Sequence, residues 1–217
     1  MVNRGRKVFT IILIIILIIG LSLGGYLIYT YVSDYFVKKE AEEAVDEFEN
    51  IIAIAMDEEK NNSNPEEIQE EQYDDTPTER TYRRVTYKSF NVVGTIQIPR
   101  IGIKYPIVDD PSPSAMESAI VFLYGPGLNQ IGNNVIVGHN YRGGSFFGSN
   151  KKLVEGDLIY ITDLSGREIE YEIYSKYETT DDDFSYATRN TNGKREISLS
   201  TCTNNASVRL VIWAVET

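Results

Sequence analysis

Two stretches decide how this chain folds. One is Asn134-Val135-Ile136-Val137-Gly138-His139-Asn140. The other is Glu196-Ile197-Ser198-Leu199-Ser200-Thr201-Cys202-Thr203, with the run Ser207-Val208-Arg209-Leu210-Val211-Ile212-Trp213-Ala214-Val215 behind it. Each is a short apolar or β-branched run bounded by turn residues, the signature of a buried strand. Working outward, Val92–Ile98, Tyr105–Val108, Ala119–Phe122, Leu158–Thr162 and Glu168–Tyr177 show the same pattern. Together they make about eight strands in roughly 130 residues, the spacing of an all-β barrel or sandwich. One helical turn is expected within Pro111–Ser118, and another short helix over Phe146–Leu153.

The N-terminal part reads differently. No charged residue occurs from Val8 to Ser33, and Val8–Ile19 is almost wholly Ile, Leu, Val and Phe. At about 1.5 Å per residue this run exceeds the roughly 30 Å hydrocarbon core of a bilayer. A cleaved signal peptide would have a shorter apolar region and a small-x-small cleavage site; here the run is too long and no convincing cleavage site follows it. An uncleaved anchor is therefore expected, with Tyr26, Tyr29 and Tyr31 at its outer interface. Arg4, Arg6 and Lys7 precede the span, so the positive-inside rule keeps the N-terminus cytoplasmic and exports the remainder. The expected partition is a cytoplasmic N-terminus (1–7), a transmembrane anchor (8–31), an acidic amphipathic helix (32–60), an acidic linker (61–87) and a β domain (88–217). The helix rests on Phe36, Ala44, Val45, Phe48, Ile51, Ile52, Ala55 and Met56, which recur mostly three and four apart. The linker has Pro65, Pro77, many acids and few aliphatic residues, which predicts a flexible spacer.

Charge follows the same partition. The 217 residues hold 21 Lys and Arg against 32 Asp and Glu, a formal net charge of −11. Residues 1–31 carry +3, residues 32–80 carry −13 and residues 81–217 carry −1. A sequence-independent nucleic-acid binder would need a basic face, so no nucleic-acid partner is expected. The chain has one Cys and one His. That excludes an internal disulfide framework and a Cys/His zinc cage.

Both residues stand at the exit of an apolar strand in the β domain, and Arg209 is the single charge in the strand that follows Cys202. Their chemistry is complementary. A thiolate is the reactive form of cysteine, and a free thiol near pKa 8.5 is only slightly ionised at neutral pH. An imidazole can take its proton and later deliver one to a leaving amine. A fixed cation stabilises the oxyanion of a tetrahedral intermediate. Taken singly, each residue has a plainer reading: a small buried hydrophobe, a structural histidine, an outward edge-strand arginine. Against that, an unpaired thiol is unusual in an exported domain, where it invites oxidation. A Cys–His enzyme and a structural pair both remain open at this level.

The residues resemble the sortases, membrane-anchored cysteine transpeptidases of Gram-positive bacteria. The resemblance covers about residues 88–217. It is carried by Gly94-Thr95-Ile96-Gln97-Ile98-Pro99-Arg100-Ile101-Gly102-Ile103 with Tyr105-Pro106-Ile107, by Val137-Gly138-His139-Asn140, by Ser198-Leu199-Ser200-Thr201-Cys202 and by Arg209, in that order. Ser198 stands where the family typically has Thr and keeps a hydroxyl. The resemblance implies a closed eight-stranded β-barrel with short helices, preceded by a transmembrane helix and a stalk. It implies that Cys202 attacks the Thr carbonyl of a Leu-Pro-x-Thr-Gly-like sorting signal, with His139 as general acid/base and Arg209 stabilising the oxyanion or positioning substrate. Thr201, Phe184 and Tyr186 are the candidate substrate contacts, although the two aromatics have the alternative of packing their own loop down. The implied partners are surface proteins bearing the signal and an amine acceptor, either a peptidoglycan precursor or a pilin Lys.

The subclass stays open among class A-, D- and E-like enzymes. The chain ends at Thr217 without a second apolar span, and residues 70–90 lack an Asp-Pro-aromatic lid signature. The connection Glu178–Arg195 is too short and polar for the long helix of class B enzymes. No cofactor is expected. Calcium is the one alternative, because some class A members bind it and Asp109, Asp110, Glu117, Glu178 and Asp181–Asp183 supply oxygens. Two other functions compete: an L,D-transpeptidase, disfavoured because Cys202 does not follow a Ser-His-Gly run, and an anchored β-domain that binds a wall component without turnover.

Overall fold

The computed structural model describes residues 2–62, 85–141, 143–203 and 207–217, with side chains in the N-terminal helix described from Arg6 to Asp57. The expected linker over 61–87 therefore lies, from 63 to 84, outside the described residues. The chain divides into two compact units, residues 1–39 and 40–217.

A single helix, α1 (Val2–Asn62), begins in the first unit and continues into the second. The expected anchor and amphipathic helix are thus one element. No proline occurs before Pro65, so nothing in the chain interrupts the main-chain ladder. In the first unit the apolar side chains from Val8 to Phe36 stand exposed. By length and composition this helix is able to cross a membrane.

The second unit is built on a β-barrel. Its strands are β1 (Thr86–Tyr87), β2 (Phe90–Ile98), β3 (Ile103–Val108), β4 (Ile120–Tyr124), β5 (Gly132–Val137), β6 (Leu158–Asp163), β7 (Glu168–Thr180), β8 (Arg195–Cys202) and β9 (Val208–Glu216). Their order is β1-β2-β3-β4-β5-β8-β9-β7-β6, and β2 also pairs with β6. That last pairing closes eight strands, β2 to β9, into a barrel and leaves no open edge between β2 and β6. All eight runs expected from the sequence are present. The two-residue β1 is additional; it hangs on β2 through a turn at Lys88 and Ser89, both at positive φ.

Ile96, Ile107, Ile136, Ile161, Tyr171 and Leu199 are buried in the core. A helical turn, α2 (Pro113–Ser118), forms where expected: Pro113 occupies its first position and the Ser112 hydroxyl accepts from the Ala115 amide. The helix expected over Phe146–Leu153 is reduced to a 3-10 turn at Asn150–Lys152. Phe146 adopts φ 51° and bridges Asn140, which takes the chain out of a helical path before it can start.

From Glu40 onward α1 packs against the barrel. Ala41, Ala44, Val45 and Phe48, at helical spacing, are all buried. Further along, α1 meets the β6–β7 turn. A Cβ placed on Gly166, whose φ is +77°, would fall 2.4 Å from Met56 Cε and 2.5 Å from Ile52 Cγ2. Two exposed ion pairs flank the contact: Glu40 with Lys88, and Glu49 with Lys104 at 2.6 Å. Such pairs contribute little each. The buried apolar stripe is the part that holds. Tyr87 also reports the docking, because burial and then the Glu40 charge push its hydroxyl well above the ordinary tyrosine range.

Candidate active site

β5 and β8 lie side by side and parallel, with Val137 opposite Ser200. Two residues further along each strand come His139 and Cys202, so the register brings both to the same rim of the barrel. Their separation of 63 positions in sequence is closed by this pairing alone. Two hydrogen bonds tie the strand exits together: the Gly138 amide donates to the Ser200 carbonyl at 3.3 Å, and the Thr201 hydroxyl donates to the Gly138 carbonyl at 2.6 Å.

Arg209 arrives from the other side of β8. In the antiparallel β8–β9 pair it stands opposite Cys202. Its Nη1 points at the Cys202 Sγ, 3.6 Å away. Its Nε donates to the Asp181 carbonyl at 3.3 Å, and its guanidinium lies 6.0 Å from the Phe184 ring centre. The guanidinium is thus oriented by the β7–β8 connection while it faces the thiol.

His139 is half-buried and rests on a row of aromatic rings. Its ring centre is 5.2 Å from Tyr141, Tyr141 is 5.7 Å from Phe146, and Phe146 is 5.1 Å from Tyr105. The His139 carbonyl accepts from the Phe147 amide at 3.0 Å. Gly138 just before it is needed for clearance, since a Cβ there would sit 3.0 Å from the Phe147 ring. Tyr141 in turn donates its hydroxyl to the Glu117 carbonyl at 2.7 Å. Burial first and the Glu117 charge second raise the Tyr141 hydroxyl above its ordinary value.

These groups surround one cleft of about 260 Å³, lined by Val137, Gly138, His139, Ser200, Thr201, Cys202 and Arg209 together with Pro113, Met116 and Glu117 of α2. Pro113 and Met116 did not emerge from the sequence as site residues, and Glu117 did so only as a calcium oxygen; the Ser-capped turn was visible, but its approach to Cys202 depends on β4 pairing with β5. Ser200 is 2% exposed and its hydroxyl has no hydrogen-bond partner among the described residues. The Thr201 hydroxyl is committed to the Gly138 carbonyl. Phe184 is exposed, beside Arg209, whereas Tyr186 is buried against Val135 and Val211. Among the described residues, no three His, Cys, Asp or Glu side chains cluster as a metal would require.

A closed barrel with a thiol, an imidazole and a guanidinium around one rim cleft has the chemical parts of a cysteine-dependent acyl-transfer enzyme. A sortase-domain family model matches residues 96–217. Solved structures of the same fold include sortase A from Corynebacterium diphtheriae, 28% identical with a TM-score of 0.54, covering 59% of this chain and 61% of that one. Another is a Clostridium perfringens sortase D5 transpeptidase, 22% identical with a TM-score of 0.60, covering 82% of this chain and 99% of that one. A third is sortase C-1 from Actinomyces oris, 24% identical with a TM-score of 0.53, covering 58% and 73%. The 82% share is larger than residues 63–217 alone provide, so that likeness takes in part of α1. No curated protein matches the chain. The chain belongs to the sortase family of cysteine transpeptidases, and the structures it resembles fall in classes A, C and D.

Proposed function

We propose that this protein is a membrane-anchored transpeptidase that cleaves a Leu-Pro-x-Thr-Gly-like sorting signal and passes the acyl part to an amine. Residues 8–31 form an uncleaved anchor with residues 1–7 in the cytoplasm. The acidic region 32–87 follows it, with the Ala41–Phe48 stripe and Tyr87 packed with the barrel, and residues 88–217 form the catalytic barrel outside the cell. The observation that carries the reading is the common rim of β5, β8 and β9, where His139, Cys202 and Arg209 share one cleft.

The Cys202 thiolate attacks the Thr carbonyl of the signal, and the charge that develops on oxygen is met by Arg209. The Thr–Gly C–N bond then breaks. The departing Gly amine takes a proton from the His139 imidazolium, leaving a thioester on Sγ. An incoming amine gives its proton to the neutral imidazole and displaces the thiolate, which restores the site. The donor is a surface protein bearing the signal, and the acceptor is a peptidoglycan precursor or a pilin Lys. No cofactor enters these steps. Phe184 is the better placed of the two loop aromatics to touch substrate, being exposed beside Arg209.

The test uses the full chain in detergent micelles with a panel of fluorogenic Leu-Pro-x-Thr-Gly-type peptides, with and without an amine acceptor. Cys202→Ala is expected to lose at least about 10³-fold in kcat/KM. His139→Ala should lose about 10²–10⁴-fold and Arg209→Ala about 10²–10³-fold. If wild type and Cys202→Ala behave alike across the panel, the domain binds without turnover and the proposal is wrong.

A further inference from the structure

At the start of β8, six residues from Cys202 and so about 20 Å along the strand, lies a buried polar cluster that the reaction above does not use. Its centre is Arg189, in the β7–β8 connection. The Arg189 side chain is 14% exposed; Nη1 pairs with Glu196, and Nη2 donates to Asn133 Oδ1 at 3.2 Å. Its guanidinium lies 4.6 Å from the Trp213 ring centre. Glu196 takes a second hydrogen bond from the Tyr174 hydroxyl at 2.6 Å. Asn133 takes another from the Ser198 hydroxyl at 2.8 Å.

The same Asn133 faces back to the connection. Its Nδ2 donates to the carbonyls of Tyr186 at 2.8 Å and Ala187 at 3.0 Å. From there the chain is locked, turn by turn, toward the thiol. The Ala187 amide donates to the Phe184 carbonyl, and the Ser185 amide and Thr179 hydroxyl both donate to the Asp183 carboxylate. Further back lie Phe184, whose ring centre is 6.0 Å from the Arg209 guanidinium, and Asp181, whose carbonyl accepts from Arg209 Nε. Buried ion pairs of this kind stabilise little relative to apolar replacements, and fixing one arrangement is their best-attested use.

We infer that the Arg189–Glu196–Asn133 cluster is a latch that positions the β7–β8 connection, and through it holds the Arg209 guanidinium against the Cys202 thiol. Arg189 and Glu196 are positioning residues, not catalytic ones. The inference rests on the transpeptidase reading only for its effect on turnover, because the effect on the thiol is measurable without any peptide. A cavity of about 290 Å³, lined in part by Asn133, Ala187, Thr188 and Arg189, lies beside the latch. Water can therefore solvate a truncated side chain there.

The test compares Arg189→Gln, and the double variant Arg189→Gln/Glu196→Gln that leaves no orphan charge, with wild type as full chains in detergent. Val45→Ala, a buried α1 substitution, serves as the control for plain destabilisation. Two rates are read below each variant's melting temperature: peptide kcat/KM, and alkylation of Cys202, the sole thiol, by iodoacetamide at pH 7. The Arg209 guanidinium stands 3.6 Å from the sulfur, and moving it away slows attack by Cys202 on the reagent. Both latch variants are expected to lose about tenfold in kcat/KM and about threefold in alkylation rate, while Val45→Ala keeps both within about twofold. Latch variants that alkylate at the wild-type rate overturn the inference, as does an equal loss of alkylation in Val45→Ala. A wild type that turns over no peptide removes the transpeptidase reading, and the alkylation comparison still decides the latch.

Discussion

Replacing Phe48 by Ala tests whether the end of α1 is a stalk or a structural part of the barrel. Phe48 is 2% exposed, within a stripe of four buried residues. Truncating a buried Phe removes its transfer free energy and leaves a cavity, together about 3–5 kcal/mol. For a folded unit the size of residues 40–217, each kcal/mol lowers Tm by roughly 2–4 °C, so a fall of about 6–20 °C is expected. The only tryptophan, Trp213, lies on β9 beside Tyr174, Tyr177 and Arg189. Its fluorescence reports melting of the barrel and not of the helix. Ile54→Ala on the exposed face of the same helix, 51% exposed, is the internal reference and should shift Tm by no more than about 1–2 °C. If Phe48→Ala leaves the Trp213 transition where Ile54→Ala leaves it, α1 is not an integral part of the unit and the burial argument fails.

Two further outcomes follow from the β6–β7 turn. Gly166→Ala combines a left-handed backbone with a Cβ pressed against Met56, and should cost about 1–3 kcal/mol. In an Ile52→Ala/Met56→Ala background the steric part disappears and only the backbone part remains; equal costs in both backgrounds, measured by urea unfolding, would show that the helix does not sit on the turn. Asp163 is pushed up by burial but pulled down further by hydrogen bonds from Ser165, Asn129 and Arg167, so its carboxyl titrates below the ordinary range. A depressed native pKa gives stability that is present above the unfolded value near 4 and is lost as pH falls through the native one. Wild type should therefore exceed Asp163→Asn by about 1–3 kcal/mol at pH 7, with the gap closing below about pH 4; a gap that stays constant from pH 7 to pH 3 contradicts this assignment.

The strands were legible because each is a short apolar run with its own turn signals, and such signals are local. The stripe Ala44, Val45 and Phe48 was legible as a helical face for the same reason. What it packs on was not, since that surface exists only once the β1–β2 hairpin and the Gly166 turn have been folded together. Phe36, which shares the helical spacing of that stripe, is exposed and falls in the first unit. Cys202, His139 and Arg209 could be named from their types and strand-end positions. Their meeting needed the parallel β5–β8 register, and spacing in sequence carries no trace of a parallel pairing. The Thr201 hydroxyl donates to the Gly138 carbonyl, a partner 63 positions away that its own neighbourhood in sequence does not reveal. The Arg189 latch is not legible in the sequence because Asn133, its hub, is 56 positions from Arg189 and reads as an ordinary turn residue.

The parallel pairing of β5 and β8 also governs timing. Antiparallel neighbours such as β8 and β9 are joined by a short connection and can find each other early. The β5–β8 contact must close a loop of more than fifty residues that contains β6, β7 and the latch connection. Contacts of that range form slowly, and the barrel seam waits on them. A chain emerging in extended form therefore carries a thiol with neither imidazole nor guanidinium beside it, no more reactive than free cysteine. Cys202 gains Arg209 with the β8–β9 pair but His139 only when β5 closes on β8, so the appearance of the complete trio is a clock for that late stage of folding.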